Sequence, residues 1–186
     1  QKKDKQKVIF FKESIFKVAE QIFNSPNKTF HIRLLEKLTK TSTTAISKAI
    51  IELEKYGIIT LEKNPLTTDI KANQESESYY FYKKIFNLYK LERYGLIWNL
   101  KESYTPEAMV LFGSYAKGED IENSDIDILI ISTKKVYGLG NFLQEMEKEL
   151  ARKINLHILE SIQKSPTEFK NTIANGIVLY GYLKLI

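Results

Sequence analysis

The stretch "LFGSYAKGEDIENSDIDILI", residues 111–130, places two aspartates two positions apart in an apolar run, shortly after a glycine–serine pair. The segments "AMVLF" before Gly113–Ser114 and "DIDILIIS" after it predict two buried strands joined through a tight turn. Side chains alternate along a strand, so Asp125 and Asp127 point to the same face. The other face then carries the isoleucines that we expect in the core: Ile126, Ile128 and Ile130.

Two carboxylates on one face of a strand repel each other unless a cation lies between them. A hard, oxygen-seeking ion such as Mg²⁺ suits Asp125 and Asp127. Gly113 lets the backbone approach a ligand, and Ser114 offers a hydroxyl and an amide to phosphate oxygens. A triphosphate site beside a metal-binding pair predicts nucleotidyl transfer, in which the ion neutralises phosphate charge and the acceptor hydroxyl is aligned with the α-phosphorus.

Gly113-Ser114, ten intervening residues and Asp125-Ile126-Asp127 match a G-S-x10-D-x-D pattern. The segment from Thr105 to Gly181 thereby resembles the minimal members of the DNA polymerase β-like nucleotidyltransferase superfamily. The resemblance implies that Asp125 and Asp127 hold Mg²⁺ (or Mn²⁺) and that Gly113 and Ser114 hold the triphosphate of ATP or another NTP. Some minimal members are antitoxins that adenylylate a HEPN-type ribonuclease toxin, which implies a possible protein acceptor.

The sequence departs from this family at the third acidic position. The family takes a third carboxylate from the neighbouring strand, and the corresponding segment "KINLHILE" offers Asn155 and His157 on one face. Asn155 can supply a neutral carbonyl oxygen, and His157 could act as a base. Both could equally be the polar face of an edge strand, so the sequence leaves turnover open.

The front half predicts three helices followed by a hairpin. The helices are "VIFFKESIFKVAEQIF", "FHIRLLEKLT" and "TAISKAIIELEKYG", the last capped by Ser42 or Thr43 and ended by Gly57. The segments "IITLEK" and "YYFYKKIF" predict two strands joined by a long tip. This order resembles the winged helix-turn-helix domains of bacterial and archaeal transcription regulators, over about Lys7 to Phe86.

The predicted third helix has one polar face suited to DNA. Its buried stripe is Ile46, Ala49, Ile50 and Leu53, and the opposite face carries small hydroxyls and a cation that suit phosphate and base-edge contacts. A solvated face, or a protein-docking or dimerisation module, is the alternative. Glu75 and Glu77 fall near the presumed wing tip, where DNA-binding wings usually carry basic residues. The candidate DNA-binding residues are Thr43, Thr44, Ser47 and Lys48.

Charge and composition narrow the class of protein. Residues 1–103 hold 19 basic and 12 acidic residues, whereas residues 104–186 hold 9 basic and 11 acidic residues. The net positive charge of the chain, +5, therefore comes from the front half. Such an excess favours a polyanionic partner such as double-stranded DNA. The absence of cysteine excludes disulfides and thiolate metal sites. No membrane-length apolar run is present, and "QKKDKQKVIF" lacks the apolar core of a secretory signal, so we expect a cytoplasmic location and no membrane partner.

These patterns predict an α+β protein in which a winged helix domain (1–86) precedes a linker helix (87–103) and a small mixed α/β nucleotidyltransferase domain (104–186). The linker's apolar stripe, Leu88, Leu91, Gly95 and Trp98, could pack within the chain or pair in a homodimer. Two functions remain open. The chain could transfer a nucleotide, which we expect to be AMP from ATP, to a partner protein or another hydroxyl acceptor. Alternatively, it could be a DNA-binding transcription regulator whose transferase domain is weakly active or inactive.

Overall fold

A computed structural model describes residues 12–184. Residues 1–11, which include the beginning of the first predicted helix and its Phe11, lie outside the described residues. The chain forms two compact units, Gln1–Tyr82 and Lys83–Ile186, which we describe one at a time.

Within residues 12–82, the first unit contains three complete helices, a two-stranded antiparallel sheet and the first residues of a fourth helix. Helix α1 is strongly amphipathic, and its inward stripe is fully buried. This pattern explains the element, because a helix in water gains most of its stability by burying such a face. The elements are α1 (Glu13–Asn24), α2 (Ile32–Thr39), α3 (Thr43–Lys55), β1 (Ile59–Lys63) and β2 (Thr68–Ala72).

Helix α3 matches its predicted pattern closely. Its buried residues are the four that the periodicity indicates, and Ser42 occupies the N-cap position. The Ser42 side chain makes no capping hydrogen bond, whereas the Thr43 hydroxyl donates to the Glu36 carboxylate. The helix ends before Gly57, whose φ of +69° few other residues adopt.

The hairpin exists, but its second strand was predicted in the wrong place. Strand β2 lies inside the segment expected to be the tip, and it pairs with β1 through a short turn in which the Asn64 amide donates to the Thr67 carbonyl. Glu75 and Glu77 are therefore not at the tip, contrary to the expectation. Phe30 also pairs with Ile70 in a one-residue bridge.

The segment "YYFYKKIF" is helical, so its prediction as a strand was wrong. It belongs to α4 (Glu77–Arg93), which crosses the boundary between the two units. Aromatic residues favour strands on average, but Tyr79, Lys83, Phe86 and Lys90 are all buried, at spacings of three and four. Tertiary packing of this helical stripe decides the local structure.

The second unit contains a four-stranded mixed sheet of order β5-β4-β3-β6. Strand β4 runs parallel to β5, and β3 runs antiparallel to both β4 and β6. The strands are β3 (Ala108–Phe112), β4 (Ile126–Ile131), β5 (Ile154–Leu159) and β6 (Ile177–Gly181); the helices after α4 are α5 (Leu96–Tyr104), α6 (Gly113–Lys117), α7 (Gly140–Leu150) and α8 (Thr167–Ala174).

The expected linker helix is divided in two. Gly95 adopts a φ of +76°, so α4 ends before it and α5 starts after it. Leu91 is fully buried in the core of the second unit, whereas Trp98 is 60% exposed. The break rotates the second half of the predicted stripe, so Leu96 and Leu100 face inward instead of Trp98.

The sheet buries both of its faces to different extents. Ile126, Ile128 and Ile130 lie in the larger core cluster, as expected, together with Met109 and Leu111. The opposite face carries a smaller cluster that includes Phe112, Leu129 and Ile173 from α8. The aspartates lie on this second face, because residues that alternate with the buried isoleucines point there.

The α+β class is confirmed by these elements. In the part of the chain from residue 12 to residue 184, no helix combines the length and the apolar character needed to cross a bilayer.

Candidate functional site

The two aspartates stand at the start of β4 on the less covered face of the sheet. Asp125 directly precedes the strand and Asp127 is its second residue, and both are partly buried. Asp127 pairs with Phe112 on β3 and with Asn155 on β5. The register therefore places the end of β3 and the beginning of β5 on either side of the Asp127 carboxylate.

Asn155 joins the two carboxylates. Its Nδ2 donates to Asp125 Oδ2 and to Asp127 Oδ1, each over 3.1 Å. One atom thus reaches an oxygen of each aspartate, which means that the two carboxylates converge on a common point. The positive end of a neutral amide lies where two negative groups meet, and it offsets part of their repulsion.

Gly113 lies directly against one member of this pair, Asp127. It opens α6 with a φ of +76°, and a Cβ at this position would lie 2.9 Å from Asp127 Oδ2. The left-handed backbone and the close approach both require glycine. Ser114 follows in the first turn of α6 and is partly buried. The glycine–serine pair and the aspartate pair, separated by ten residues, are therefore adjacent in space.

His157 lies one alternation beyond Asn155 on β5. Its Nε2 is 3.6 Å from Asp127 Oδ1 and is buried without a hydrogen-bond partner among the described residues. The imidazole ring centroid is 5.1 Å from that of Phe112 and 6.1 Å from that of Phe169 on α8. The aromatic neighbours limit how the ring can turn, which keeps it next to the carboxylate.

The donor set fits a divalent cation with oxygen ligands. Asp125 and Asp127 supply convergent charged oxygens, and the Asn155 amide could turn to present its carbonyl oxygen, since either orientation of an amide occupies the same space. From residue 12 to residue 184 no group of three or more His, Cys, Asp or Glu side chains could hold a metal ion.

The aromatic pair beside His157 was not singled out from the sequence. Phe112 ends a strand that was predicted, so its position next to Asp127 could have been inferred from the pairing of β3 with β4. Phe169 comes from α8, and nothing local indicates that this helix covers the face with the aspartates.

In the first unit, the candidate DNA-binding side chains fall into two pairs. The Thr43 and Ser47 hydroxyls donate within the protein, to Glu36 and to the Thr43 carbonyl respectively. Thr44 and Lys48 are exposed and line a groove of about 380 Å³ beside α3. Thr44 and Lys48 therefore present their side chains to a ligand more directly than the first pair does.

Comparison with known proteins places the second unit in a family. The family described as "Polymerase beta, Nucleotidyltransferase" matches residues 96–183. Three proteins of Methanocaldococcus jannaschii, each provisionally named a protein adenylyltransferase, are 42%, 43% and 39% identical over 66, 68 and 67 residues. These matches span 31%, 34% and 34% of this chain and 67%, 66% and 67% of the respective relatives.

One solved structure, a toxin–antitoxin with AMP-PNP, is 22% identical and covers 52% of this chain and 74% of that chain, with a TM-score of 0.38. This likeness is too distant to bear on function. The glycine–serine pair and both aspartates lie within the segment that the family matches. The chain therefore belongs to the polymerase β-like nucleotidyltransferase family.

Proposed function

We propose that the chain transfers AMP from ATP to a hydroxyl group of a partner protein. The observation that carries this proposal is the convergence of Asp125 Oδ2 and Asp127 Oδ1 on one atom, directly beside Gly113. Family membership supports nucleotide transfer in general, and the provisional names of the relatives favour a protein acceptor.

In this proposal Asp125 and Asp127 hold Mg²⁺ or Mn²⁺, while Gly113 and Ser114 hold the triphosphate. The bound ion would neutralise phosphate charge as the α-phosphorus is attacked. Gly113 leaves room for a phosphate and the Asp127 carboxylate to approach the same stretch of backbone. Ser114 contributes its hydroxyl and its backbone amide. Both groups are close to the main chain and have little freedom to move, so they would fix the position of the phosphate.

The third position determines the expected rate. Asn155 is neutral, and His157 lies beside Asp127 without being an acid. A third carboxylate would add negative charge to the metal site and help to deprotonate the attacking hydroxyl. We therefore propose a site that binds the metal–nucleotide complex and transfers its nucleotide slowly.

Isothermal titration of Mg-ATP tests the site. Wild type should bind, and Asp125→Ala should lose most of the heat because one of the two charged ligands is gone. Glu122→Ala is the matched control, since Glu122 is an exposed acid three residues away. Equal heats for wild type and Asp125→Ala would refute the proposed site.

Transfer itself is tested with α-³²P-ATP and a candidate acceptor. We propose that the acceptor is a HEPN-type toxin encoded beside this chain, as the resemblance to minimal antitoxin transferases implies. Label on the acceptor that depends on Asp127 would support transfer to protein. If Mg-ATP binds but no label is transferred to this acceptor or to any other hydroxyl-bearing substrate, the second function below is the better account.

That second function is a winged-helix transcription regulator whose transferase domain is a weakly active or inactive nucleotide-binding module. Three helices followed by a hairpin, with Phe30 bridging to Ile70 as a one-residue third strand, favour it. In this account residues 1–86 bind double-stranded DNA through α3, with Thr44 and Lys48 exposed toward it. Homodimers would match the two-fold symmetry of many operators, and light scattering after size exclusion would measure the oligomeric state.

Fluorescence anisotropy with a random duplex at low salt tests DNA binding. Lys48→Ala should weaken binding, and it should reduce the slope of log affinity against log salt by about 1 if the lysine contacts a phosphate. Lys55→Ala is the control, because Lys55 is exposed at the other end of the same helix. Absence of binding by wild type would refute the DNA-binding function.

A further inference from the structure

A cluster of charged and polar side chains is buried in the second unit, outside the candidate site. It comprises Lys83 and Asn87 from α4, Asp120 from the segment between α6 and β4, and Arg152 from the residues before β5, and we call it the Asp120 cluster. These residues are 1%, 3%, 2% and 6% exposed, respectively.

Asp120 is the centre of this cluster. Its Oδ1 accepts from Asn87 Nδ2 over 2.8 Å and lies 3.5 Å from Lys83 Nζ. Its Oδ2 lies 3.4 Å from Arg152 Nη2. The Lys83 ammonium also donates to the Asp120 backbone carbonyl. The side chain of this one residue is therefore held from two directions, by α4 and by Arg152, and its backbone carbonyl is held by Lys83.

The same partners hold the chain on both sides of Asp120. Asn87 Nδ2 donates to the Tyr115 carbonyl over 2.9 Å, and Arg152 Nη1 donates to the Glu122 carbonyl over 3.1 Å. Tyr115 is next to Ser114, and Glu122 is three residues before Asp125. The cluster thus spans residues 115–122 of the connection between the two halves of the candidate site.

Backbone hydrogen bonds continue this arrangement to the site residues. The Glu119 amide donates to the Ser114 carbonyl over 2.9 Å, and the Ile126 amide donates to the Lys153 carbonyl over 2.8 Å. Lys153 follows Arg152, so the side chain that holds Asp120 is adjacent to the backbone that holds the residue between the two aspartates.

Fold stability alone does not require such a cluster. A buried group of charges contributes no more than well-packed apolar side chains of similar size, because desolvation offsets much of the attraction. What charged hydrogen bonds add is a defined position, since each donor and acceptor tolerates only a narrow range of distances and angles.

We propose that Asp120 is a positioning residue, which Lys83, Asn87 and Arg152 hold so that Asp125 keeps a fixed separation from Ser114. The inference rests on the proposed function and deepens it: the distance between the triphosphate and its metal is set by a buried cluster that touches neither. Displacement of a reacting group by about 1 Å can cost about 100-fold in rate, so such a cluster has a large effect.

Two variants and one control test this role. Asp120→Asn keeps the shape of the side chain and removes its charge. Asn87→Leu removes the hydrogen bonds that the amide donates to Asp120 Oδ1 and to the Tyr115 carbonyl, but it leaves Asp120 facing Lys83 and Arg152. It therefore remains informative if Asp120→Asn folds poorly. Glu119→Gln is the matched control, because Glu119 is the exposed acid next to Asp120.

The readouts are amide hydrogen exchange of residues 118–126, Mn²⁺-ATP affinity by electron paramagnetic resonance, and kcat and KM for AMP transfer, all measured well below each variant's Tm. We expect Asp120→Asn to speed exchange in this segment, to weaken Mn²⁺-ATP binding about tenfold and to lower kcat 10–100-fold with a smaller change in KM. Asn87→Leu should change the same quantities less, and Glu119→Gln should match wild type.

Variants that lose thermal stability but keep wild-type affinity and kcat would overturn the positioning role. The proposed function fails in a different way, namely if wild type itself neither binds Mn²⁺-ATP nor transfers AMP. If wild type fails in this way and Asp120→Asn still exchanges faster, the cluster stabilises the fold alone, and the inference is overturned too.

Discussion

At the scale of single residues, Asn155 has the largest consequence for chemistry. Its amide hydrogens bond both aspartates, so in the protein alone an uncharged group does part of what a cation would do. This arrangement stabilises two neighbouring carboxylates without a metal. It also means that an incoming ion must compete with the amide or turn it around.

Replacing Asn155 with Asp should restore a third carboxylate opposite Asp127. We expect tighter Mn²⁺ binding, by about tenfold or more because a ligand charge is added, and faster AMP transfer. In EDTA the same variant should be less stable by roughly 1 kcal/mol, because like charges then face each other across two strands. Titration of Mn²⁺ and thermal melts with and without the ion would measure both effects.

Asn155→Ala is the control for this variant, since it removes the hydrogen bonds without adding charge. If Asn155→Asp bound Mn²⁺ no better than Asn155→Ala, the third position would not be part of the metal site.

Gly113 allows a second prediction at the residue scale. Gly113→Ala should lower the free energy of unfolding by about 1–2 kcal/mol through the left-handed backbone alone. It should also displace Asp127, because the new Cβ would lie 2.9 Å from Oδ2. Chemical denaturation and Mg-ATP titration would separate the two effects.

Gly138 provides the comparison, because its φ is +83° and a Cβ there would meet nothing within 4 Å. Gly138→Ala should show the backbone cost without any loss of Mg-ATP binding. Equal Mg-ATP affinity in both variants would contradict the proposed proximity of the phosphate site to Asp127.

At the scale of elements, α4 differs most from expectation. The segment "YYFYKKIF" was predicted as a strand, and only the part of α4 from residue 87 onward was predicted as a helix. In the folded chain Lys83, Asn87 and Lys90 lie on one buried face, and Lys90 Nζ lies 3.4 Å from the Leu150 carbonyl. The helix therefore contributes an internal polar surface to the second unit.

Lys83 gives this element a dependence on pH. Burial lowers the pKa of Lys83 below its ordinary value of 10.5, although Asp120 acts in the opposite direction. Below the folded-state pKa, the buried ammonium of Lys83 is charged, and its burial lowers the free energy of unfolding. Between that pKa and about 10.5 the unfolded chain binds more protons, so this cost disappears as the pH rises.

The free energy of unfolding of wild type relative to Lys83→Met should therefore rise toward pH 10. Denaturant titrations at several pH values would measure it, and Lys84→Met would correct for the loss of one positive charge from the same helix. A constant difference between wild type and Lys83→Met at all pH values would contradict the lowered pKa.

At the scale of the whole molecule, the positive charge of the first unit is smaller than the net charge of residues 1–103 indicates. Residues 1–82 hold 14 basic and 10 acidic residues, an excess of +4 rather than the +7 of residues 1–103. The remaining positive charges lie in α4 and α5, and Lys83 and Lys90 among them are buried. The case for DNA binding therefore depends on the exposed face of α3 more than on net charge.

The division into two units predicts where ligands act. Mg-ATP at 100 times its Kd should stabilise the unit to which it binds by about 2.7 kcal/mol. With Mg-ATP we expect slower amide hydrogen exchange in β3, α6 and β4 and unchanged exchange in residues 12–82. With duplex DNA we expect slower exchange in residues 12–82 and unchanged exchange in β3, α6 and β4. Asp125→Ala should abolish the effect of Mg-ATP, and protection of residues 12–82 by Mg-ATP would contradict this assignment.

The sequence by itself determined the strands on either side of Gly113–Ser114, the common face of Asp125 and Asp127, and the buried stripe of α3. These features follow from periodicity and from residues a few positions apart, so a local pattern is sufficient to predict them. Only the tertiary structure decided that Asn155 bonds both aspartates, that "YYFYKKIF" is helical, and that Asp120 is held by α4 and Arg152. Those outcomes depend on pairs 28 to 37 residues apart. Such contacts form through strand register and burial, and they therefore override local propensity.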